Sequence, residues 1–230
     1  MNYIPIQLRH IRIYISMNIG IYSFCTTDLN PDIAYCQRQV FENFNLKIEQ
    51  YIETPSNDTC KQHGECINKI IEQSKEDYLI IFDIDSIPLN KNFYNIIVND
   101  IYDKNTLAGA VGCANHLNPD KVYVHPCFMA FHKKLYFDCD CPPLHAYGDC
   151  DTAQRFTDVC MFKNKKIKYW EVTDSYDKTW DLKPYNMKFG HGTIFKNLIY
   201  HQYEVRMQNQ QQQFIDKCKE VINNSDLCQP

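Results

Sequence analysis

The sequence predicts an α/β domain in which helices flank a mainly parallel central sheet. Strand-like and helix-like patterns alternate through the first half of the chain, which is typical of a parallel sheet. Residues 78–82 form a short, wholly apolar run, the mark of a strand buried on both faces. With 230 residues the chain has the length of one domain with a substantial core, so we expect a single domain over residues 1–230.

Each element of this domain has its own signal. Runs rich in β-branched and aromatic residues, or alternating in polarity, predict strands at residues 11–24, 46–52, 78–82, 107–113, 122–131 and 166–172. Apolar residues at helical spacing predict helices at about residues 32–44, 67–75, 93–102, 149–162 and 210–222. The glutamine-rich tract at 208–213 is either the polar start of the last helix or a loose linker.

The N-terminal segment, residues 1–21, leans apolar without resembling an export signal. Arg9, His10, Arg12 and Asn18 interrupt it, and no small-residue cleavage site follows. We therefore interpret it as a leader and a first strand. No stretch of the chain approaches 18 consecutive apolar residues, so no membrane span is predicted. On these grounds we expect a cytoplasmic protein.

Charge and cysteine spacing argue against two further classes of protein, nucleic-acid binders and structural zinc proteins. The net charge of −4 is not that of a nucleic-acid binder, so no nucleic-acid partner is expected. The chain has twelve cysteines, but the closest pair is Cys139 and Cys141, and no Cys-x-x-Cys pair or Cys/His array occurs. This spacing argues against structural zinc. We interpret the cysteines as scattered thiols, with disulfides left open for an oxidising compartment.

Two acidic residues, Asp83 and Asp85, follow directly on the apolar run. In an open α/β sheet, ligands bind at the carboxyl ends of the strands. Two carboxylates one residue apart at such an end can share a divalent cation, and hard oxygen ligands suit Mg²⁺ or Mn²⁺. Because the chain has only seven glycines and no glycine-rich loop, a bound diphosphate would be held by metal, not by a backbone cradle. An ordinary polar strand end is the other interpretation, but the apolar strand before the pair and Pro88 after it favour a metal site.

Three sequence blocks then resemble a known family. Residues 82–89, Phe-Asp-Ile-Asp-Ser-Ile-Pro-Leu, resemble the strand-end Asp-x-Asp-x-x-Pro motif of the β-1,4-galactosyltransferases and related GT-A enzymes. Residues 148–156 are similar to the family's Gly-Glu-Asp-Asp-Asp segment, and Arg155 follows Asp151 by four positions as in that family. Residues 199–206 resemble its late histidine segment, and the blocks come in the family's order.

The resemblance implies a GT-A fold and a metal-dependent, inverting transfer of a sugar. The donor would be a nucleotide-diphospho-sugar, foremost a UDP-sugar, the acceptor a glycan or other hydroxyl, and the cofactor Mn²⁺ or Mg²⁺. The chain departs from the family in lacking its Phe-Arg-Asn-Arg motif, in reducing its Trp-Gly-Gly-Glu stretch to residues 145–148, and in having Leu198 in place of a methionine. The resemblance therefore concerns fold and chemistry, not one particular sugar.

The resemblance also implies roles for single residues. Asp149 stands where the family has its catalytic base, a role worth about 10²–10⁴-fold in rate. Asp151 would bind an acceptor hydroxyl, or else cap a helix. His201 would be the third metal ligand, and His191 is its rival. Apart from the resemblance, three aromatic residues could form stacking platforms for sugar rings: Tyr147, Trp180 and Tyr185. We interpret His125, before Pro126 on a predicted strand, as structural.

Two other functions share part of this signal. Haloacid-dehalogenase-type phosphatases also place an Asp-x-Asp pair after an apolar strand, with the first aspartate, here Asp83, as nucleophile and Asp85 beside it. In those enzymes the pair follows the first strand, whereas about 80 residues precede it here. A non-catalytic, GT-A-like binding module is the second alternative, although both Asp85 and Asp149 are present.

Overall fold

The computed structural model describes residues 17–226, which form twelve strands and six α-helices. The strands are β1 (Ile19–Thr26), β2 (Glu49–Glu53), β3 (Tyr78–Asp83), β4 (Ser86–Pro88), β5 (Thr106–Ala114), β6 (Asn118–His132), β7 (Lys166–Trp170), β8 (Val172–Ser175), β9 (Trp180–Leu182), β10 (Met187–Phe189), β11 (Thr193–Phe195) and β12 (Ile199–His201). The helices are α1 (Pro31–Asn43), α2 (Thr59–Gln73), α3 (Asn92–Asp100), α4 (Lys133–Asp138), α5 (Gln154–Phe162) and α6 (Gln208–Asp226). The leader and the first part of the predicted first strand lie outside the described residues.

A six-stranded sheet forms the centre of the molecule, in the order β2-β1-β3-β6-β5-β7. Neighbouring strands are parallel except where β6 pairs with β3 and with β5. Strand β6 therefore runs against the other five. This arrangement, with helices on both faces, confirms the predicted α/β class and its mainly parallel sheet.

The apolar run of β3 is buried on both faces, as its composition predicts. Ile80 and Phe82 belong to one apolar cluster, together with Phe41 of α1. Leu79 and Ile81 belong to a second cluster, which contains apolar residues of α2 and α5. The alternation follows from the two-residue period of a strand. Because both faces are covered by helices, no residue of β3 before its last is exposed to solvent.

Side-chain caps fix the start of two helices that flank the sheet. The Asn30 side chain accepts a hydrogen bond from the backbone N–H of Asp32 at the start of α1, where Pro31 occupies the first turn. Asp58 accepts one from the N–H of Lys61 at the start of α2. Both helices thus begin at a residue whose side chain satisfies a backbone N–H of the first turn.

A second sheet, not predicted from the sequence, adjoins the end of β3. Its four strands have the order β4-β12-β11-β8, and β9 pairs with β10 in a separate ribbon. Most of these strands are three residues long, too short to show a two-residue period in the sequence. Strand β4 follows β3 after two residues, so the turn between them joins the two sheets.

The chain departs from the predicted elements in a few more places. The predicted helix at 149–162 begins only at Gln154, because Ala153 adopts a left-handed backbone conformation with φ of 63°. The glutamine-rich tract forms the start of α6, which packs on α1 through Phe214 and Cys218.

No described helix is long and apolar enough to cross a membrane.

Candidate functional site

The two acidic residues after the buried strand lie at the junction of the two sheets. Asp83 is the last residue of β3, and Asp85 lies in the turn before β4. The buried Gln37 side chain holds this turn, since its Nε2 donates hydrogen bonds to the backbone carbonyls of Asp83 at 2.7 Å and Ser86 at 2.9 Å. The backbone N–H of Gln202 donates to the carbonyl of Asp85. The turn is thus fixed from both sides.

Strand β12 brings His201 against this pair of carboxylates. His201 pairs in register with Ser86, and its side chain is 3% exposed. Its Nε2 atom lies 3.1 Å from Oδ1 of Asp85 and 3.9 Å from Oδ2 of Asp83. Its Nδ1 atom is buried and has no hydrogen-bond partner. The sequence separation between His201 and Asp85 is 116 residues.

These three residues have the geometry and chemistry of a divalent-metal site. One ligand atom from each of Asp83, Asp85 and His201 lies within 4.8 Å of the other two. Adjacent ligands of an octahedral Mg²⁺ or Mn²⁺ ion are about 3 Å apart, close to the 3.1 Å between His201 and Asp85. Two carboxylates and one imidazole fit such an ion. The structure therefore brings together the three residues predicted first as metal ligands.

A further histidine, His63 from α2, lies on the other side of Asp83. Its Nε2 atom is 2.9 Å from Oδ1 of Asp83. Burial raises the pKa of Asp83, but the rings of His63, His201 and His125 together outweigh this, so the pKa falls to about 2. Burial lowers the pKa of His63, but its contact with Asp83 and the charges of Asp85 and Asp151 together outweigh this and leave the pKa raised. Asp83 is therefore an anion at neutral pH.

Two open cavities meet at these carboxylates. One, of about 540 Å³, is lined by Asp151, His125 and Tyr203, and the other, of about 440 Å³, by Cys25, Leu29 and Met207 among others. Both cavities share the following wall residues: Phe24, His63, Asp83, Asp85, Glu204 and Arg206. The carboxylate pair thus lies where a ligand extending through both cavities would pass.

Arg206 is the cationic residue of this shared wall. Its guanidinium donates a hydrogen bond of 2.8 Å to the Thr26 hydroxyl and lies 3.3 Å from a carboxylate oxygen of Asp28. These contacts tie the segment after β12 to the carboxyl end of β1. An arginine held in this way offers its remaining N–H groups to an anionic ligand.

The two acidic residues of the 148–156 block lie in different surroundings. Asp151 lines the larger cavity, accepting hydrogen bonds from the Tyr123 hydroxyl at 3.0 Å and from the backbone N–H of Thr152 at 2.7 Å. The Asp149 side chain is 89% exposed, lies 3.7 Å from the Arg155 guanidinium, and lines neither of the two cavities. Of the two, only Asp151 lines a cavity that the carboxylate pair also lines.

His191 stands apart from the cluster of possible metal ligands. Its Nδ1 lies 2.6 Å from Oδ2 of Asp177, and its Nε2 lies 2.9 Å from Oε2 of Glu204. Burial lowers the pKa of His191, but the two carboxylates outweigh this and raise it above its ordinary value. Both ring nitrogens are thus engaged by carboxylates, one of which, Glu204, lines both cavities.

The contact of His191 should make stability depend on pH. A raised native pKa means that the imidazolium stabilises the fold fully below the unfolded pKa of about 6.5, an effect lost as pH rises through the native value. We expect His191→Gln to lower Tm most near pH 6, by no more than about 4 °C for partly exposed ion pairs, and little above pH 8. Differential scanning calorimetry between about pH 6 and pH 8 measures this change in Tm. The exposed His116→Gln is the control, and a loss equal at all pH values would contradict the role of charge.

Of the three aromatic residues predicted as platforms for sugar rings, only Trp180 is linked to the site by ring contacts. Trp180 lies 5.3 Å from the ring of Tyr203, which in turn lies 3.9 Å from the His201 ring. Tyr147 is 67% exposed and contacts His145. Of these and Tyr185, none lines the two cavities, whereas Tyr203 lines the larger one. The Tyr203 hydroxyl is buried without a hydrogen-bond partner.

Sequence reasoning missed several residues of this site. His63 lies in a helix whose pattern is otherwise ordinary, and nothing in the sequence marks it. His125, interpreted as structural, lines the larger cavity, with its ring 5.8 Å from that of His201. The one signal for His125 is its position on β6, the strand that pairs with β3. Using this signal would require knowing the order of the strands in the sheet.

No family model matches this chain, and no curated protein sequence matches it. Several solved structures align with part of it. The mannosyltransferase PcManGT from Pyrobaculum calidifontis, in complex with GDP-Man and Mn²⁺, aligns with a TM-score of 0.45 and 11% identity, over 71% of this chain and 61% of that one. HddC from Yersinia pseudotuberculosis aligns with a TM-score of 0.45 and 9% identity, over 87% and 99% of the two chains.

A glycosyltransferase involved in the glycosylation of the major capsid of PBCV-1 aligns with a TM-score of 0.37 and 18% identity, over 53% of this chain and 63% of that one. This chain thus spans less than two thirds of that structure and of PcManGT. Likenesses this distant establish neither a reaction nor a substrate. The resemblance to the β-1,4-galactosyltransferases stays a prediction.

Proposed function

We propose that this chain is a metal-dependent glycosyltransferase of the GT-A type. The observation that supports this most is the convergence of Asp83, Asp85 and the buried His201 where two cavities meet. This point is the carboxyl end of a buried parallel strand, the edge at which α/β sheets bind ligands. Two of the three sequence blocks that resemble the β-1,4-galactosyltransferases, residues 82–89 and 199–206, contain these three residues.

The proposed donor is a nucleotide-diphospho-sugar, with a UDP-sugar as the first choice. Asp83, Asp85 and His201 would hold Mn²⁺ or Mg²⁺, which supplies positive charge to the diphosphate as it leaves. The imidazole favours Mn²⁺, since nitrogen ligands suit the later divalent metals better than Mg²⁺. Arg206, in the wall shared by both cavities, would bind a phosphate oxygen.

The proposed acceptor is a glycan or other hydroxyl that enters the larger cavity. An inverting transfer requires a carboxylate to accept the hydroxyl proton as the oxygen attacks the anomeric carbon. Asp149, the residue that the resemblance implies, is exposed outside this cavity, whereas Asp151 faces into it. We therefore propose Asp151 as the base and keep Asp149 as the alternative.

A nucleotide-sugar panel tests the proposed function. Purified protein is mixed with UDP-, GDP- and other nucleotide sugars, with Mn²⁺, with Mg²⁺ or with chelator, and its Tm and donor hydrolysis are measured. A donor at about 100 times its Kd stabilises a protein by about 2.7 kcal/mol, so we expect a rise in Tm of about 5–10 °C. The rise should require metal, be larger with Mn²⁺, and be accompanied by slow release of the sugar.

Other outcomes of the same panel contradict the proposal. No shift with any nucleotide sugar and metal would exclude a nucleotide-sugar site. Binding without hydrolysis, and without transfer to any hydroxyl acceptor, would indicate a binding module. A phosphate monoester is included as well, because its metal-dependent hydrolysis would favour the phosphatase alternative, in which Asp83 is the nucleophile.

A further inference from the structure

A second cluster of metal-ligating side chains also includes His201. One ligand atom from each of His125, Cys127 and His201 lies within 4.8 Å of the other two. Strand β6 brings the first two to this place, because it runs antiparallel to β3 with Phe128 paired to Phe82. The residue before Phe128 therefore lies beside the carboxyl end of β3. Cys127 is fully buried, and its thiol is free.

The two nitrogens of His201 are in unequal surroundings. Nε2 faces Asp85 at 3.1 Å, whereas Nδ1 is buried without a hydrogen-bond partner. When Nε2 carries the proton and donates it to Asp85, Nδ1 presents a free lone pair. Metal-bound histidines commonly show this pattern, in which one nitrogen binds the metal and the other donates to a carboxylate. The unpartnered Nδ1 is thus an independent sign of a ligand.

We propose that His125, Cys127 and His201 form a second metal site, for a thiophilic divalent cation such as Zn²⁺. Two imidazoles and one thiolate are a zinc set, unlike the hard oxygen ligands of the aspartate pair. Ligand atoms around a tetrahedral zinc are about 3.5 Å apart, so these atoms, now within 4.8 Å of one another, would move closer by at most about 1.3 Å to hold it. No sequence pattern marks this site, because its ligands are not arranged in a Cys/His array.

Binding of the metal at this site would release one proton and break one hydrogen bond. The Cys127 thiol loses its proton to solvent as the metal–sulfur bond forms. His125 gives up the hydrogen bond that its Nδ1 accepts from the backbone N–H of Cys127 at 3.1 Å, and a metal–nitrogen bond replaces it. The fourth position of the metal is left to water, through the larger cavity that His125 lines.

The two sites compete because they share His201. A neutral imidazole has a single lone pair, so it serves either the aspartate pair through Nε2 or the thiolate site through Nδ1. A thiophilic cation should therefore weaken Mn²⁺ binding at Asp83 and Asp85 without occupying that position. This competition rests on the geometry of His201 and does not depend on the proposed sugar transfer.

Cobalt spectroscopy tests the site directly. Co²⁺ stands in for Zn²⁺, and a cobalt–thiolate bond gives a sulfur-to-metal charge-transfer band in the near ultraviolet. We expect this band in the reduced wild type and in the control Cys141→Ser, which removes an exposed thiol, and no band in Cys127→Ser or Cys127→Ala. Absence of the band in the wild type would overturn the proposal even if the Cys127 variants fail to fold. So would its persistence in a folded Cys127 variant.

Electron paramagnetic resonance of free Mn²⁺ tests the competition. One equivalent of Zn²⁺ should weaken Mn²⁺ binding by the wild type by about 10- to 100-fold, the size of effect expected when a ligand's partner is lost. The same addition should weaken Mn²⁺ binding by Cys127→Ser less than in the wild type, because Zn²⁺ then lacks its thiolate ligand. Equal weakening in both proteins would place Zn²⁺ at the aspartate pair and refute the shared histidine. A cobalt–thiolate band without any sugar transfer would refute the proposed function alone.

Discussion

Replacing Asp85 by asparagine is expected to abolish metal-dependent binding of a nucleoside diphosphate while leaving the fold intact. Asparagine keeps the shape of the side chain, and its amide oxygen can still accept a hydrogen bond from His201. The backbone carbonyl that accepts from Gln202 is unchanged. What is lost is the negative charge, and with it one of the three metal ligands. Losing even an outer-shell partner of a metal ligand costs about 10–100-fold in affinity, so we expect more than about 100-fold here.

Isothermal titration calorimetry with UDP and Mn²⁺ measures this loss. Asp216→Asn changes an exposed carboxylate on α6 that lines neither of the two cavities; it is the matched control and should bind as the wild type does. A thermal melt without metal shows whether the variant is folded. Wild-type affinity in a folded Asp85→Asn protein would refute the metal site at the end of β3.

Replacing Asp151 by asparagine is expected to keep donor affinity and to lower the rate of sugar transfer by about 10²–10⁴-fold. Only proton acceptance is removed, and a general base contributes about that much. The amide can still bond with the Tyr123 hydroxyl and the N–H of Thr152, so the loop around it should hold its shape. Because the step removed occurs only in the transition state, kcat should fall while the donor's Kd stays within a few-fold.

The matched control is the neighbouring Asp149→Asn, measured with the donor and acceptor that the nucleotide-sugar panel identifies. We expect it to transfer within a few-fold of the wild type. The reverse result, with Asp149→Asn inactive and Asp151→Asn active, would identify Asp149 as the catalytic base. The anomeric configuration of the product is read by NMR, and retention of the donor's configuration would discard an inverting mechanism altogether.

The sequence predicted most reliably what contiguous residues determine. Tyr78 to Phe82 are apolar without a break, which fixes a strand buried on both faces, and Asp83 must then lie at its end. Helices α1 and α6 carry enough turns for a 3.6-residue period to show. The central sheet and the first two metal-ligand candidates follow from such local patterns.

Contacts between elements that are distant in the sequence could not be predicted. His63 meets Asp83 only because α2 packs beside β3, and His125 meets His201 only because β6 is inserted antiparallel between parallel strands. Neither relation leaves a periodic trace in the sequence. The second sheet escaped prediction for a related reason, since its three-residue strands gain their stability from neighbours far along the chain.

The choice between Asp149 and Asp151 as base depends on where the helix after them begins. The sequence predicts its start at residue 149, and the structure has it five residues later, at Gln154. A helix beginning at residue 149 would place both aspartates in its first turn, with similar access to the cavity. The left-handed conformation of Ala153 delays the helix to Gln154, whose side chain accepts a hydrogen bond from the N–H of Asp151. That turn directs the two carboxylates to different surroundings.

The pairing of β4 with β12 also has a consequence for synthesis. Strand β4 is an edge strand, and among the described strands β12 is its one neighbour in the second sheet. Ser86 and Tyr200, which bond across this pair, are 114 residues apart. At about 5–20 residues per second, a ribosome needs roughly 6–23 s to travel between them. For that interval the nascent chain carries β4 as an unpaired edge, open to pairing with another chain.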